Sequence, residues 1–402
     1  MRKHLVFILI CLSTLICFAQ QVEVKRYDFI DLSKDTIAYY GNSKNTFNAL
    51  FDKFRSMITY GQRQINILHL GDSHLQADLM SGETRKNFQS FFPGLEGSRG
   101  MVSTYMKSRP DSYKITYSSN WSSLNFLSNT NAENKGLWGV GVYTNTSRES
   151  ISINVNNKNP IKYDFNSFRV YHSELPKNDN LKIKNTNIAY QETYNKKEGY
   201  TEFLLSDYVS SIEIEVIKEG NDNFYIYGFY FQNGNSGVVY NVAGVNGARA
   251  SHYNNAELFH SQLKSLDFDF IIISLGTNDT YEPGGENTFE KELLTLVKNI
   301  RKQYPYIPIL LTTPTETWWH RRRINPRMAQ TIKIINSVAE QGSCAVLDLY
   351  NIFGGYNSAK KMQSNNLMQK DLIHLTAEGY VLAGDLIYNA LWQEIDKNLP
   401  LK

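Results

Sequence analysis

The feature that most constrains the fold is an alternation of strand-like and helix-like segments that is broken in the middle by residues 98–237. Before the break, Phe47, Leu50, Phe51, Phe54 and Met57 recur at helical spacing and predict an amphipathic helix. Ile65, Ile67, Leu68 and Leu70 then form a short apolar run ending in Gly71-Asp72, the pattern of a buried strand that turns sharply at its carboxyl end. A helix is predicted from Ser73 to about Phe92, where Pro93-Gly94 stops it. After the break come strands at Val238–Val242, Phe268–Leu275, Ile307–Thr312 and Ala345–Leu349. Helices are predicted from about Thr288 to Gln303, Met328 to Gln341 and Thr376 to Ile395. Such alternation implies a parallel sheet covered on both faces. Residues 20–45 read as polar and irregular.

Residues 98–237 are rich in Asn, Ser, Tyr and Thr and contain alternating runs such as Ser152-Ile153-Asn154-Val155 and Ser211 to Val216. They read as an all-β sandwich that interrupts a single α/β domain, so residues 20–97 and 238–402 form one unit around it. Trp121, Trp138 and the tyrosines from Tyr225 to Tyr230 are either its core or a platform for sugars.

At the amino end, Arg2 and Lys3 precede an apolar run from Leu5 to Phe18, and Cys17 and Ala19 supply small residues at −3 and −1. Residues 1–19 thus read as a signal peptide, with export to the periplasm or the extracellular space. The run is shorter than the roughly 20 residues a membrane span requires, so no stable span is expected after cleavage. Bulky Ile16 argues against lipidation at Cys17. Cleavage leaves Cys344 alone in the apolar run Cys344-Ala345-Val346-Leu347, which suits a buried small hydrophobe. Forty-two basic and 39 acidic residues give a net charge of +3, which offers no electrostatic reason to expect nucleic acid as a partner.

Ligands of open α/β sheets bind outside the carboxyl ends of the strands. Four short motifs fall there: Gly71-Asp72-Ser73-His74, Ala243-Gly244-Val245-Asn246-Gly247, Leu275-Gly276-Thr277-Asn278-Asp279 and Asp371-Leu372-Ile373-His374. A serine hydroxyl needs an adjacent base, usually an imidazole held in one tautomer by a third group. His374 suits the base and Asp371, three residues earlier, its orienting partner. Acyl transfer also needs donors for the developing oxyanion. Gly247 allows close backbone approach, Asn278 offers a side-chain amide, and the N–H of Ser73 is a third donor.

This order of serine, glycine, asparagine and Asp-x-x-His resembles the SGNH (GDSL-like) hydrolase superfamily. The resemblance implies Ser73 as nucleophile, Asp371 and His374 as its partners, and Ser73, Gly247 and Asn278 as the oxyanion hole. The fold implied is a flavodoxin-like three-layer α/β sandwich with a central parallel sheet, interrupted by a jelly-roll-like β-sandwich. His74 stands where many members have leucine, and the second motif lies far from the first. With Leu75 to Asp78, Ser81 to Arg85 and Gly97-Ser98-Arg99-Gly100, these departures resemble the peptidoglycan O-acetylesterase branch, in which a carbohydrate-binding-like module interrupts the hydrolase domain.

Thr317-Trp318-Trp319-His320-Arg321-Arg322-Arg323 should lie on the same rim, where Trp318, Trp319 and Arg321 could contact a glycan. His74 and Asp78 could line the acyl pocket, although Asp78 also suits a solvated or helix-capping position. The expected activity is removal of O-acetyl groups from an exported glycan, peptidoglycan above all, with no metal or cofactor. An O-acetyltransferase using the same acyl-enzyme and a non-catalytic glycan-binding protein are the alternatives. A lipase is disfavoured, since no apolar lid flanks the motifs.

Overall fold

The computed structural model describes residues 21–399, apart from 107–109, 111, 128–135, 157, 159, 176–179 and 185–186. The expected signal peptide lies outside the described residues. The α/β part is built on a six-stranded sheet of β1 (Ile37–Tyr39), β2 (Gln64–Gly71), β3 (Gly237–Gly244), β4 (Phe270–Ser274), β5 (Ile309–Thr312) and β6 (Ala345–Leu347). The spatial order is β1-β6-β5-β4-β2-β3. All neighbours are parallel except β1, which runs antiparallel to β6 at the edge. The edge strand escapes the sequence reading because three residues cannot show a period.

Taken without β1, the parallel strands follow the flavodoxin-like order, and the direction of winding reverses at β2, between β3 and β4. Gly71 at the end of β2 is in register with Gly244 of β3 and Ser274 of β4. The loops after these three strands therefore leave the sheet side by side. Those loops carry the first three motifs.

Alternate strand residues face opposite layers. Ile65, Ile67, Phe270 and Ile272 are buried in a core with α1 (Ser43–Tyr60), α3 (Met80–Ser90) and α6 (Ala377–Lys397). Leu68, Leu70, Ile271 and Ile273 face α4 (Glu286–Gln303) and α5 (Met328–Gly342). Full burial of each such side chain contributes roughly 1.5–3 kcal/mol. The helix expected from Ser73 onward is two helices, α2 (Ser73–Gln76) and α3, because Asp78 takes a left-handed φ of 55° between them. Gly384 of α6 lets α3 approach closely, since a Cβ there would lie 2.6 Å from the carbonyl oxygen of Met80.

Between β2 and β3 the described residues form two antiparallel sheets of seven and four strands, which enclose Val142, Ile151, Phe168, Phe203, Ile214 and Phe229. Trp121, Trp138, Tyr227 and Tyr230 are buried, so these aromatics are core and not an open platform. Trp138, Tyr227 and Tyr230 share one cluster with Ala243, Tyr253 and Phe259, which seats the inserted sheets directly on the α/β layers. Cys344 is buried, and burial pushes its thiol up to about 12.

Candidate active site

Ser73 opens α2 immediately after the buried end of β2. Asp72 caps that helix, its Oδ1 accepting the N–H of His74 at 3.0 Å. The Oγ of Ser73 lies 2.9 Å from Nε2 of His374, and Nδ1 of His374 lies 2.7 Å from Oδ2 of Asp371. Chain geometry places both groups of the Asp-x-x-His motif. Asp371 Oδ1 accepts the backbone N–H groups of Ile373 and His374 at 3.0 Å each, and Leu372 takes a left-handed φ of 57°. A side chain folded back on its own loop in this way frees the second carboxylate oxygen for the imidazole.

Burial raises the Asp371 carboxyl, but the hydrogen bonds from His374 and the loop amides outweigh it and hold the group below the usual carboxylate range. Asp371 therefore stays ionised near neutral pH and favours the tautomer with its proton on Nδ1. Nε2 is then free to accept a proton from Ser73.

Gly247 lies in the turn after β3 with φ +78°, a conformation that suits glycine. The loop is tied to α2 because the N–H of Asn246 donates to Oε1 of Gln76 at 2.5 Å. Asn278, after β4, donates through Nδ2 to Asp72 Oδ2 at 3.2 Å and to the Ala248 carbonyl at 3.1 Å. Its amide thus ties all three loops together. Burial pushes the Asp72 carboxyl up to about 6. The N–H groups of Ala250 and Gly276 brace Asp279, whose carboxyl burial raises to about 7.

Of His74 and Asp78, only Asp78 departs from expectation, that of a solvated or helix-capping position. Asp78 neither faces solvent nor caps a helix: its two oxygens accept Arg85 Nη1 and Nη2, each at 2.8 Å. Arg99, at the start of the inserted sheets, lies 3.6 Å from the same carboxylate. Asp78 is thereby committed to joining α3 to the inserted sheets. His74 turns its ring toward His374, with centroids 5.3 Å apart. It also lines a cavity of about 40 Å³ with Asp72, Ser274, Thr277 and Thr315.

Trp318 and Trp319 pair with Ile324 and Arg323 in a short hairpin. The N–H of Trp318 donates to the carbonyl of Leu372 at 2.9 Å, which docks the hairpin on the loop of Asp371 and His374. Arg323 and Arg327 flank the Trp319 ring, 5.1 and 5.6 Å from its centroid. Arg321 is exposed at the tip with φ +59°. Three other residues shape the site: Gln76, Tyr253 and Tyr380. The Tyr253 hydroxyl lies 2.6 Å from the Gly71 carbonyl and 2.8 Å from that of Ala243. Tyr380, four residues into the helix that begins with the cap Thr376, follows the Asp-x-x-His motif closely enough to be a candidate by spacing alone.

Residues 218–382 match the model of the GDSL-like Lipase/Acylhydrolase family. The match takes in Gly247, Asn278, Asp371 and His374 but not Ser73, which lies before the inserted sheets. Residues 218–382 thus resemble the GDSL-like acylhydrolases, whose enzyme class is carboxylic ester hydrolase, and the three-layer fold around them is the one expected of that class. Its overall architecture is similar to that of a peptidoglycan O-acetylesterase. The two are 20% identical, the likeness covers 90% of this chain and 99% of the other, and the TM-score is 0.71. A lipase/acylhydrolase from Enterococcus faecalis is 24% identical over 42% of this chain and 80% of its own, with a TM-score of 0.31. No curated protein matches this sequence. Among the described residues no helix is long and apolar enough to cross a membrane.

Proposed function

We propose that the protein is an exported serine esterase that removes O-acetyl groups from a glycan, with peptidoglycan as its substrate class. The observation that carries the chemistry is the continuous chain of contacts from Ser73 Oγ through His374 to Asp371. In this reading Ser73 Oγ attacks the acetyl carbonyl while His374 Nε2 takes its proton. The negative oxygen of the tetrahedral intermediate is met by the N–H groups of Ser73 and Gly247 and by Nδ2 of Asn278. To serve there, Asn278 turns one N–H from the long bonds it makes to Asp72 and Ala248. Collapse breaks the bond to the sugar oxygen, which leaves with the proton from His374. Water, deprotonated by His374, then attacks the acyl-enzyme; the bond from the acyl carbon to Ser73 Oγ breaks, acetate leaves, and His374 returns the proton to Oγ.

The glycan part of the reading is supported by three features: the leader-like residues 1–19, the β-sandwich that divides residues 20–97 from 238–402 at residues 98–237, and the likeness to a peptidoglycan O-acetylesterase along nearly the whole chain. Trp318, Trp319 and Arg321 would receive the glycan, since their hairpin is seated on the loop that bears His374. Acetate release from O-acetylated peptidoglycan by the purified protein tests this substrate. Turnover of p-nitrophenyl acetate without any release from the glycan would keep the esterase and remove the substrate.

A further inference from the structure

We propose that His74, anchored by Tyr380, is a positioning residue for His374; the inference rests on the esterase reading above. Asp371 grips the His374 ring at one atom, Nδ1. The ring torsion of a histidine is broad and roughly two-fold, so this bond alone leaves the plane of the imidazole room to swing Nε2 away from Ser73. The His74 ring closes that freedom from the side. Its centroid is 5.3 Å from that of His374 and the planes are inclined by 35°.

The wall is itself held at two points. The backbone N–H of His74 is bound to Asp72, and Nδ1 of His74 lies 3.1 Å from the hydroxyl of Tyr380, whose ring meets it edge-on at 5.8 Å. Tyr380 is buried in the first turn of α6, the helix into which the Asp371–His374 loop runs. Both ends of the His74 contact therefore belong to elements that carry the proposed triad. The leucine of the more familiar GDSL signature would fill this space but could not be steered by a hydroxyl.

Neutrality fits His74 for this place. Asp72, Asp371, His374 and Tyr380 are the titratable groups around it. Burial first, then repulsion from His374, pushes its pKa down to about 3, against a smaller opposing pull from Asp371. When His374 takes the proton of Ser73, the adjacent ring adds no like charge.

The test uses the full-length protein and a fluorophosphonate that labels an activated serine, so that no glycan has to be identified. His74→Ala removes the wall, His74→Phe restores a ring without nitrogens, and Tyr380→Phe removes only the anchor. Because a displacement of about 1 Å costs on the order of a hundredfold in rate, His74→Ala should label Ser73 ten- to a hundredfold more slowly. Its kcat for p-nitrophenyl acetate should fall in parallel while KM stays within about twofold, the signature of lost alignment and not of lost binding. His74→Phe should recover most of the rate, and Tyr380→Phe should lie between wild type and His74→Ala. Labelling of His74→Ala at the wild-type rate, or a His74→Phe variant as slow as His74→Ala, overturns the inference. A wild-type protein that does not label at all overturns the esterase reading instead.

Discussion

Nε2 of His374 lies 2.9 Å from Oγ of Ser73 although 301 residues separate the two in sequence. The contact exists because β2 ends where the winding of the sheet reverses, and because the loop before α6 folds back over that end. The inserted sheets lengthen the chain between the partners without entering the contact. Each element of this arrangement has a measurable consequence.

Replacing Asp371 by Asn keeps the size of the side chain but removes the charge that fixes the His374 tautomer. By analogy with the same change in serine proteases, kcat on p-nitrophenyl acetate should drop by about 10²- to 10⁴-fold. Steady-state kinetics check this. Wild-type turnover in Asp371→Asn would mean that another group orients the imidazole.

Asn278→Ala removes a donor from the site and also the link between the loops after β2, β3 and β4. Loss of one oxyanion donor costs about 10²- to 10³-fold in kcat. KM should change far less, because the donor acts mainly on the transition state. If KM rises while kcat holds, Asn278 binds substrate and does not stabilise the intermediate.

The Asp78–Arg85 pair predicts a stability effect that depends on pH. Arg85 is 1% exposed, and removal of one partner of a buried pair costs about 3–5 kcal/mol, so Asp78→Ala should lower the urea midpoint sharply at neutral pH. Burial raises the Asp78 carboxyl, but Arg85 and then Arg99 outweigh it and leave the folded-state pKa below the unfolded one. The contribution is therefore full above the unfolded pKa and is lost as pH falls through the folded value. The stability gap between wild type and Asp78→Ala should narrow below about pH 4. A gap that does not change with pH contradicts the ion pair as its source.

Much of this site was legible in the sequence because its chemistry admits few residue types and its motifs stand at strand ends. Ser73, His374 and Asp371 stand in turn within hydrogen-bonding distance along one line of contacts, and the three-layer fold followed from the alternation of apolar runs. What escaped depends on contacts between segments remote in sequence. The break between α2 and α3 is made by Asp78 in a left-handed turn, with Arg85 and Arg99 holding its carboxylate; seen alone, Ser73 to Phe92 has the composition of one helix. The same is true of the contact between His74 and Tyr380, 306 residues later, which no local pattern announces. The buried aromatics of the inserted sheets were ambiguous for a simpler reason: core and sugar platform use the same side chains, and only burial separates them.

The proposed chemistry passes through a covalent acetyl-Ser73 intermediate, which mass spectrometry of the protein, rapidly quenched after mixing with p-nitrophenyl acetate, would detect. The wild type should gain one acetyl mass on the peptide containing Ser73, and Ser73→Ala should gain none while losing turnover. Acetylation elsewhere with Ser73 unmodified, or full turnover by Ser73→Ala, would rule out Ser73 as the nucleophile.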